Sequence, residues 1–201
     1  MTRRYELKAR ARRQEETRRR IVEAAVELHT TVGPARTSVS AIAELADVQR
    51  HTYYRHFPDE ASLRVACSGL HQERDPFPDP LSWADVADPI ERLRLGLGDL
   101  YAYFERNESL LANLARDAEV DPPTAEIVAL RFAPALAAIR DTLADGLAHG
   151  ARRRRVLATL DLALDFHTWQ SLVRRSGLSR RQGVELMVEC TRSQALCAAG
   201  Q

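Results

Sequence analysis

Helical periodicity is the feature that most constrains the fold of this chain of 201 residues. Apolar residues recur at steps of three and four along most of its length, as at Ile21, Ala25 and Leu28. No segment of useful length shows the apolar–polar alternation of a β-strand. Glycine, proline and capping residues interrupt the pattern at intervals. The sequence therefore predicts an all-α protein.

The proline-rich stretch "DPFPDP", residues 75–80, divides the helical pattern, because three prolines in six residues cannot continue a helix. We predict an N-terminal domain over 1–74 and a larger helical domain over 75–201. In the first domain a helix is expected from about Glu15 to Thr31, and two short helices joined by a tight turn at Asp47 form a helix-turn-helix at about 38–57. In the second domain the pattern predicts helices over about 88–106, 108–118, 122–149, 154–176 and 179–198.

Composition argues against several classes of protein. No apolar run is long enough for a membrane span, and the basic N-terminus lacks the apolar stretch of a signal peptide, so a cytoplasmic location is expected. Cys67, Cys190 and Cys197 follow neither a disulfide framework nor a metal motif. We expect no metal and no cofactor, and Cys190 and Cys197 are interpreted as packed thiols, with a redox role left open. No hydrolase, zinc-protease or phosphate-loop motif is present, so an enzyme is not predicted.

Basic charge is concentrated at the start of the chain. Residues 1–20 hold nine basic side chains against three glutamates, a local balance of +6. This is what a contact with nucleic acid requires, although a solvated basic tail is an equal alternative. Arg10, Arg12 and Arg13, expected to precede the first helix, are candidates for an arm that reaches the DNA backbone or the minor groove.

The stretch "HTYYRHF", residues 51–57, carries an unusual number of hydrogen-bond donors. As the second helix of a helix-turn-helix, it needs one apolar edge for its own core and one polar edge for the major groove. Tyr53 and Phe57 suit the apolar edge, whereas Arg50 suits guanine and Gln49 suits adenine. We therefore predict a DNA-reading helix at this position.

Residues 37–63, "TSVSAIAELADVQRHTYYRHFPDEASL", closely resemble the DNA-binding signature of the TetR (tetracycline-repressor type) family of transcription regulators. Asp47, Gln49 and Tyr53 depart from the usual glycine, serine and leucine of that signature. By this resemblance Tyr54, His56, Thr37 and Ser38 correspond to phosphate-contacting residues. The complete set of predicted DNA contacts is Arg10, Arg12, Arg13, Thr37, Ser38, Gln49, Arg50, His51, Thr52, Tyr54 and His56.

The resemblance also implies a homodimer. Independently, the helix over 156–173 is apolar on more than one face, so it must be buried on several sides, within the protomer, against a second copy, or both. Two half-sites about one DNA turn apart also require a dimer. The predicted interface consists of Leu157, Leu160, Leu164, Leu172, Val184, Met187 and Val188.

A small-molecule pocket in the second domain is a further implication of the family. Apolar rings with a few polar tips suit a small apolar or aromatic ligand, although each ring alone also suits a core. The candidates are Gly98, Tyr101, Phe104, Phe132, Phe166, His167 and Trp169. The resemblance thus implies a homodimeric repressor that binds a palindromic double-stranded operator and is released by a ligand. The alternatives are a ligand-independent regulator or activator, a helical enzyme and a protein-interaction module.

Overall fold

The computed structural model describes residues 2–196, with side chains from residue 5 onward. Within that part of the chain the regular structure is entirely helical, which confirms the predicted fold class. Cys197 lies outside the described residues.

Four helices precede the proline-rich stretch, and a short 3₁₀ turn, Pro34–Arg36, follows the first of them. They are α1 (Thr2–Thr31), α2 (Val39–Leu45), α3 (Arg50–His56) and α4 (Glu60–Arg74). Side chains cap two of these helices: Ser38 Oγ accepts a hydrogen bond from the amide of Ala41 at 3.1 Å, and Asp59 Oδ1 accepts one from the amide of Ser62 at 2.7 Å. Asp47 adopts the left-handed conformation with φ of 50°, as the tight turn between α2 and α3 requires.

Seven α-helices and one π-helical segment follow within the described residues. They are α5 (Leu81–Ala84), α6 (Pro89–Arg106), α7 (Glu108–Ala118), α8 (Pro122–Ala144), α9 (Ala151–Ala163), α10 (Phe166–Trp169), the π-helical Gln170–Arg175 and α11 (Arg180–Leu196). A capping box begins α11: the Ser179 amide donates to Gln182 Oε1 at 2.9 Å, and the Gln182 amide donates to Ser179 Oγ at 3.3 Å.

Three element boundaries differ from the sequence-based prediction. The first helix starts at Thr2 rather than near Glu15, since its arginines, alanines and glutamates are good helix formers and Arg12 pairs with Glu16 one turn later. The predicted helix over 154–176 is divided at Asp165, whose side chain caps α10 through the Thr168 amide at 2.9 Å. The helix expected over 122–149 ends at Ala144, before Gly146 with φ of 73°.

The chain divides into two compact units. The first unit comprises the residues up to Pro76 together with Ser109–Arg131, and the second comprises Phe77–Glu108 together with the residues from Phe132 onward. The division after residue 76 lies close to the sequence-based boundary at 74, but the sequence pattern places residues 109–131 in the second domain. They belong to the first unit because α7 and the start of α8 make polar contacts with α1 and α4.

The first unit has a small aliphatic core with two aromatic rings. Ile21 and Ala25 of α1 are fully buried and lie in one cluster with Ile42, Tyr53 and Phe57. Because α2 and α3 have only seven residues each, they depend on this shared core for their position. The core thereby fixes the orientation of α3 on α1, α2 and α4.

Buried polar contacts attach α7 and α8 to the rest of the first unit. Asp117, only 2% exposed, accepts a hydrogen bond from the amide of Ala35 at 2.9 Å and pairs with Arg116. The Asn113 side-chain amide donates to the carbonyl of Thr30 at 2.8 Å, at the end of α1. Arg64 of α4 donates to Asp121 at 3.1 Å, next to the start of α8.

The second unit has a larger core, formed where α6 and α9 pack on α11. Leu97, Leu100 and Leu160 are fully buried in it. Gly96 permits a close approach, because an added Cβ would lie 3.1 Å from the Trp83 ring and nearer still to Leu143. This helical framework carries the aromatic residues that the sequence nominated for a pocket.

Candidate nucleic-acid interface

The short helix α3 has one buried edge and one polar edge, as predicted. Tyr53 is 1% exposed and Phe57 is fully buried, and their rings lie 6.1 Å apart, one helical turn from each other. Burial raises the pKa of Tyr53 to about 12, so its hydroxyl stays neutral and belongs to the core. The opposite side of α3 is therefore the side that remains available to a partner.

Most of the predicted DNA contacts on α3 and beside it are exposed. Gln49, Arg50, His51 and Tyr54 are exposed, and Thr52 is half-buried. Gln49 occupies the N-cap position without a side-chain capping bond, which leaves its amide free for another partner. The structure thus brings these side chains together on one surface of the first unit.

Arg55 belongs to the same surface but was left out of the predicted contact set. At about 100° per residue it lies on the side of α3 opposite Tyr53, and it is exposed. None of the ion pairs found between described residues includes Arg55. A count of helical positions from Tyr53 would have identified it from the sequence.

Only one ring nitrogen of His56 is available for its predicted phosphate contact. Its Nε2 atom is buried and lacks a hydrogen-bond partner among the described residues, so only Nδ1 is available to a phosphate. Burial lowers the pKa of His56, and the charges of Arg55 and Arg18 lower it further. This shift favours the neutral form of the imidazole in the free protein.

The two residues ahead of α2 are already engaged within the chain. Thr37 Oγ1 donates to the carbonyl of Gly33 at 2.7 Å, and Ser38 Oγ caps α2. Ser38 is exposed and Thr37 is half-buried. A phosphate at this end of α2 would meet the helix N-terminus together with the Ser38 hydroxyl.

Arg10, Arg12 and Arg13 are exposed, but they lie within α1 and not ahead of it. A helix of about 10–12 Å diameter does not enter a minor groove about 6 Å wide. The placement ahead of the first helix therefore differs from the prediction, and a helical segment favours the backbone contact over the minor groove.

The rings nominated for a ligand pocket pack on one another in the second unit. Tyr101, Phe104, Phe166 and Trp169 make one packed cluster, with the Phe166 and Trp169 rings 5.4 Å apart. Phe132 packs on Phe77 at 5.8 Å, and Phe77 in turn connects it to Phe104 through the ring of Tyr103. Gly98 is half-buried, and His167 is exposed and lies 3.3 Å from Gln170.

Two features of the second unit are compatible with a ligand. The Trp169 side chain is fully buried, and its Nε1 lacks a hydrogen-bond partner among the described residues. A cavity of about 230 Å³ lies between α8 and α9. It contains none of the residues nominated for a ligand, and its lining consists of Ala133, Leu136, Ala137, Arg140, Asp161, Leu164 and Asp165.

The residues predicted to form a dimer interface are mostly core residues of the protomer itself. Five are buried in the second unit: Leu160, Leu164, Val184, Met187 and Val188. Leu157 and Leu172 are half-buried. Leu162 of α9 and Leu186 of α11 are 60% and 39% exposed, respectively. A contact with a second copy through these helices would use the exposed leucines, which the sequence pattern did not separate from the buried ones.

Within the described residues, no helix is long and apolar enough to cross a membrane. No three histidine, cysteine, aspartate or glutamate side chains of that part of the chain are grouped to hold a metal ion. Cys67 is buried, which raises its thiol pKa to about 12, and Cys190 is exposed.

Part of the first unit is similar to known proteins. Residues 21–67 match the model of bacterial regulatory proteins of the tetR family. The repressor KstR of Mycobacterium tuberculosis is 31% identical over 103 residues, which are 51% of this chain and 47% of that protein. The regulator TtgR of Pseudomonas putida is 37% identical over 81 residues, which are 40% of this chain and 39% of that protein. The chain thus spans at most about half the length of these relatives.

Solved structures share the fold over most of the chain. A TetR transcription regulator from Haloarcula marismortui has a TM-score of 0.59 at 15% identity, covering 90% of this chain and 97% of that one. FadR of Thermus thermophilus, a repressor solved with lauroyl-CoA, has a TM-score of 0.52 at 21% identity, covering 91% and 97%. At these identities the likeness extends to the helical architecture of both units and not to the ligand.

Proposed function

We propose that this chain, which belongs to the tetR family of bacterial regulatory proteins, binds a specific DNA sequence through α3 and regulates transcription beside it. One observation carries the proposal: α3 buries Tyr53 and Phe57 on one edge and exposes a row of hydrogen-bond donors on the other. Arginine binds guanine in the major groove through two hydrogen bonds, and Tyr54 and Ser38 suit phosphate oxygens.

Selection of bound duplexes from a random library tests this function. The wild type is expected to enrich one palindromic sequence, since two protomers present two copies of α3. Arg50→Ala should relax the preference at one position in each half-site, because each arginine–guanine pair discriminates by about 1–3 kcal/mol. Tyr54→Phe should weaken binding to all sequences equally, because it removes a hydrogen bond to a phosphate.

Arg153→Ala is the matched control, because it removes an exposed arginine from the second unit. It should leave the selected sequence unchanged. If the wild type enriches no sequence, or if Arg50→Ala selects the same sequence with the same affinity, α3 does not read DNA.

We also propose that the protein acts as a homodimer through the exposed leucines of α9 and α11. Paired substitution of Leu162 and Leu186 by glutamate should yield monomers and abolish binding to a full palindrome. Leu81→Glu is the control, since Leu81 is 77% exposed in the same unit but lies on α5. Sedimentation equilibrium measures the mass. A wild type that sediments as a monomer contradicts this part of the proposal.

Repression relieved by a small molecule is the mode of regulation we propose. It is supported by the cavity beside α9 and by the buried Trp169 indole with its free N–H. In a Trp83→Phe variant, Trp169 is the one remaining tryptophan, so its fluorescence reports binding near it. Small phenols, aromatic acids and amines can be titrated against this variant and then against the DNA complex.

At least one of these compounds should shift the Trp169 emission and release the duplex. A panel without effect on emission and on DNA affinity favours a ligand-independent regulator. A reporter gene placed behind the selected sequence distinguishes the two directions of control: a repressor lowers expression, and an activator raises it.

A further inference from the structure

The first half of α1 extends as a helix that packs on nothing else in the first unit. Residues 5–16 are exposed except for Ala9, and the helix becomes buried only from Ile21 onward. At 1.5 Å per residue this N-terminal rod, residues 5–16, is about 18 Å long. That length corresponds to about five base pairs of DNA, at about 3.4 Å per pair.

The C-terminal end of the rod, near residue 16, lies beside the C-terminal end of α3. The guanidinium carbon of Arg18, two residues beyond the rod, lies 4.8 Å from the centre of the Phe57 ring. Arg20 lies 4.0 Å from Asp47, in the turn that precedes α3. The rod therefore leaves the unit next to the surface that carries Tyr54 and Arg55.

The charge of this segment suits a polyanion. Residues 1–13 hold six basic side chains against Glu6 alone, a net charge of +5. The rod itself holds four basic side chains against Glu6, Glu15 and Glu16, a net charge of +1, so its basic side chains lie ahead of the two glutamates at its C-terminal end. Within the rod, Lys8 and Arg12 are one turn apart on one side of the helix, and Arg10 and Arg13 share the opposite side. Basic pairs on two opposite sides of a helix can contact both DNA backbones when the helix lies in a groove between them.

A polyanionic partner would also stabilise the rod. Like charges four residues apart, as at Lys8 and Arg12, weaken a helix, and this exposed end of α1 has no buried apolar face to offset them. Arg12 is compensated within the rod by Glu16 at 3.2 Å, but this pair is highly exposed and so contributes little. Phosphates on both sides would neutralise the remaining charges and stabilise the helical form.

We infer that the N-terminal rod binds DNA as a helix at the mouth of the major groove flanking the sequence read by α3, and that it contacts phosphates on both strands. A helix is as wide as the major groove, about 12 Å, and too wide for the minor groove. The contacts are independent of base sequence and lengthen the footprint by about five base pairs on each side. This inference rests on the proposed DNA-binding function.

The test compares a rod variant with a charge-matched control in the full-length protein. The rod variant carries Lys8→Ala, Arg10→Ala, Arg12→Ala and Arg13→Ala, and alanine preserves the helix while removing the charge. The control carries alanine at Arg152, Arg153, Arg154 and Arg155, four exposed arginines at the start of α9. Both variants lose the same charge, but the control loses it from the second unit.

Affinity is measured at several salt concentrations on two duplexes: the selected sequence alone, and that sequence with about eight arbitrary base pairs on each side. The wild type and the control should bind the longer duplex at least about tenfold more tightly. The rod variant should bind both equally. Its slope of log affinity against log salt should fall by about 0.9 for each phosphate that is no longer neutralised, up to about 4 per protomer.

The variant Ala11→Pro tests whether the rod binds DNA as a helix or as a flexible arm. Proline interrupts the helix but leaves every charge in place, ten residues before the first fully buried residue, Ile21. It should remove most of the preference for the longer duplex. If Ala11→Pro behaves like the wild type, the segment binds as an unstructured arm, and the helical contact is overturned.

The outcomes distinguish this inference from the proposed function. A wild type that selects no sequence contradicts the function itself. A wild type that selects a sequence, with a rod variant that keeps the flank preference and the salt slope, overturns only the rod. A rod variant that loses binding to single-stranded RNA but keeps duplex binding in full also overturns it, because the segment then serves another polyanion.

Discussion

The two compact units differ in what fills their cores, although both contain buried polar side chains. In the first unit, α1 to α4 share a small aliphatic core, and polar groups such as the buried Asp117 and the half-buried Arg64 attach α7 and the start of α8 to the rest of the unit. In the second unit, helices pack around large rings, the buried Arg92 donates to the carbonyls of Val86 and Asp145, and ion pairs such as Arg94 with Glu185 lie at the surface. Directional polar contacts fix geometry, whereas packed rings mainly contribute burial. Directional polar contacts therefore suit a unit that must hold α3 at a defined angle.

The largest expected effect comes from removing a core ring of the first unit. Phe57→Ala should lower the free energy of unfolding by about 3–5 kcal/mol, because Phe57 is fully buried and its removal leaves a cavity beneath α3. Both tryptophans lie in the second unit, so their fluorescence follows that unit, while far-ultraviolet circular dichroism follows both. In urea, the dichroism transition should shift and the fluorescence transition should not. Equal shifts would mean that the units unfold together.

A smaller effect is expected from pH, and it also acts on the first unit. The pKa of His29 is lowered to about 4, mainly by burial and also by the charge of Arg64, while the charge of Asp117 acts in the opposite direction. The unfolded chain, with an ordinary pKa near 6.5, binds more protons between these values, so stability is complete above about pH 6.5 and falls as pH decreases towards 4. Between about pH 7.5 and pH 5 the decrease should be about 2 kcal/mol.

His29→Gln is the control for this dependence. Urea midpoints at the two pH values should then differ by clearly less than in the wild type. If the variant keeps the full dependence, other groups titrate on unfolding, and His29 is not among the residues that make the first unit sensitive to acid.

The buried polar contacts of the first unit can be tested at Asp117. Asp117→Asn keeps one carbonyl oxygen but removes the second acceptor, so either the Ala35 amide or Arg116 is left without its partner. The expected decrease is about 1–3 kcal/mol of unfolding free energy by urea denaturation. Asp141→Asn, in the exposed pair of the second unit with Arg140 at 3.4 Å, should cost less than about 0.5 kcal/mol. Equal decreases in unfolding free energy for the two variants would mean that the polar contacts of the two units are equally important for stability.

The smallest effect concerns the two tryptophans of the second unit. Trp83 Nε1 donates to Asp99 at 2.8 Å, whereas Trp169 Nε1 lacks a partner among the described residues. Replacement by phenylalanine removes a similar volume at each site. Trp83→Phe should therefore be about 1 kcal/mol more destabilising than Trp169→Phe, as measured by urea denaturation followed by circular dichroism. The opposite order would show that the Trp169 N–H is satisfied in solution.

The sequence by itself determined the fold class, the positions of α2 and α3 and which of them is predicted to read DNA. These follow from local signals, such as the cap at Ser38, the turn at Asp47 and the spacing of Tyr53 from Phe57. Helical periodicity and capping act over a few residues, so they can be recognised in one dimension.

The tertiary structure decided what the local pattern left open. The assignment of residues 109–131 to the first unit depends on contacts such as Asp117 with Ala35, 82 positions apart in the chain. Apolar periodicity could not separate the buried Leu160 from the exposed Leu162, since that depends on which neighbouring helix covers each face. Burial depends on how several helices pack together, so it cannot be predicted from one segment of the sequence.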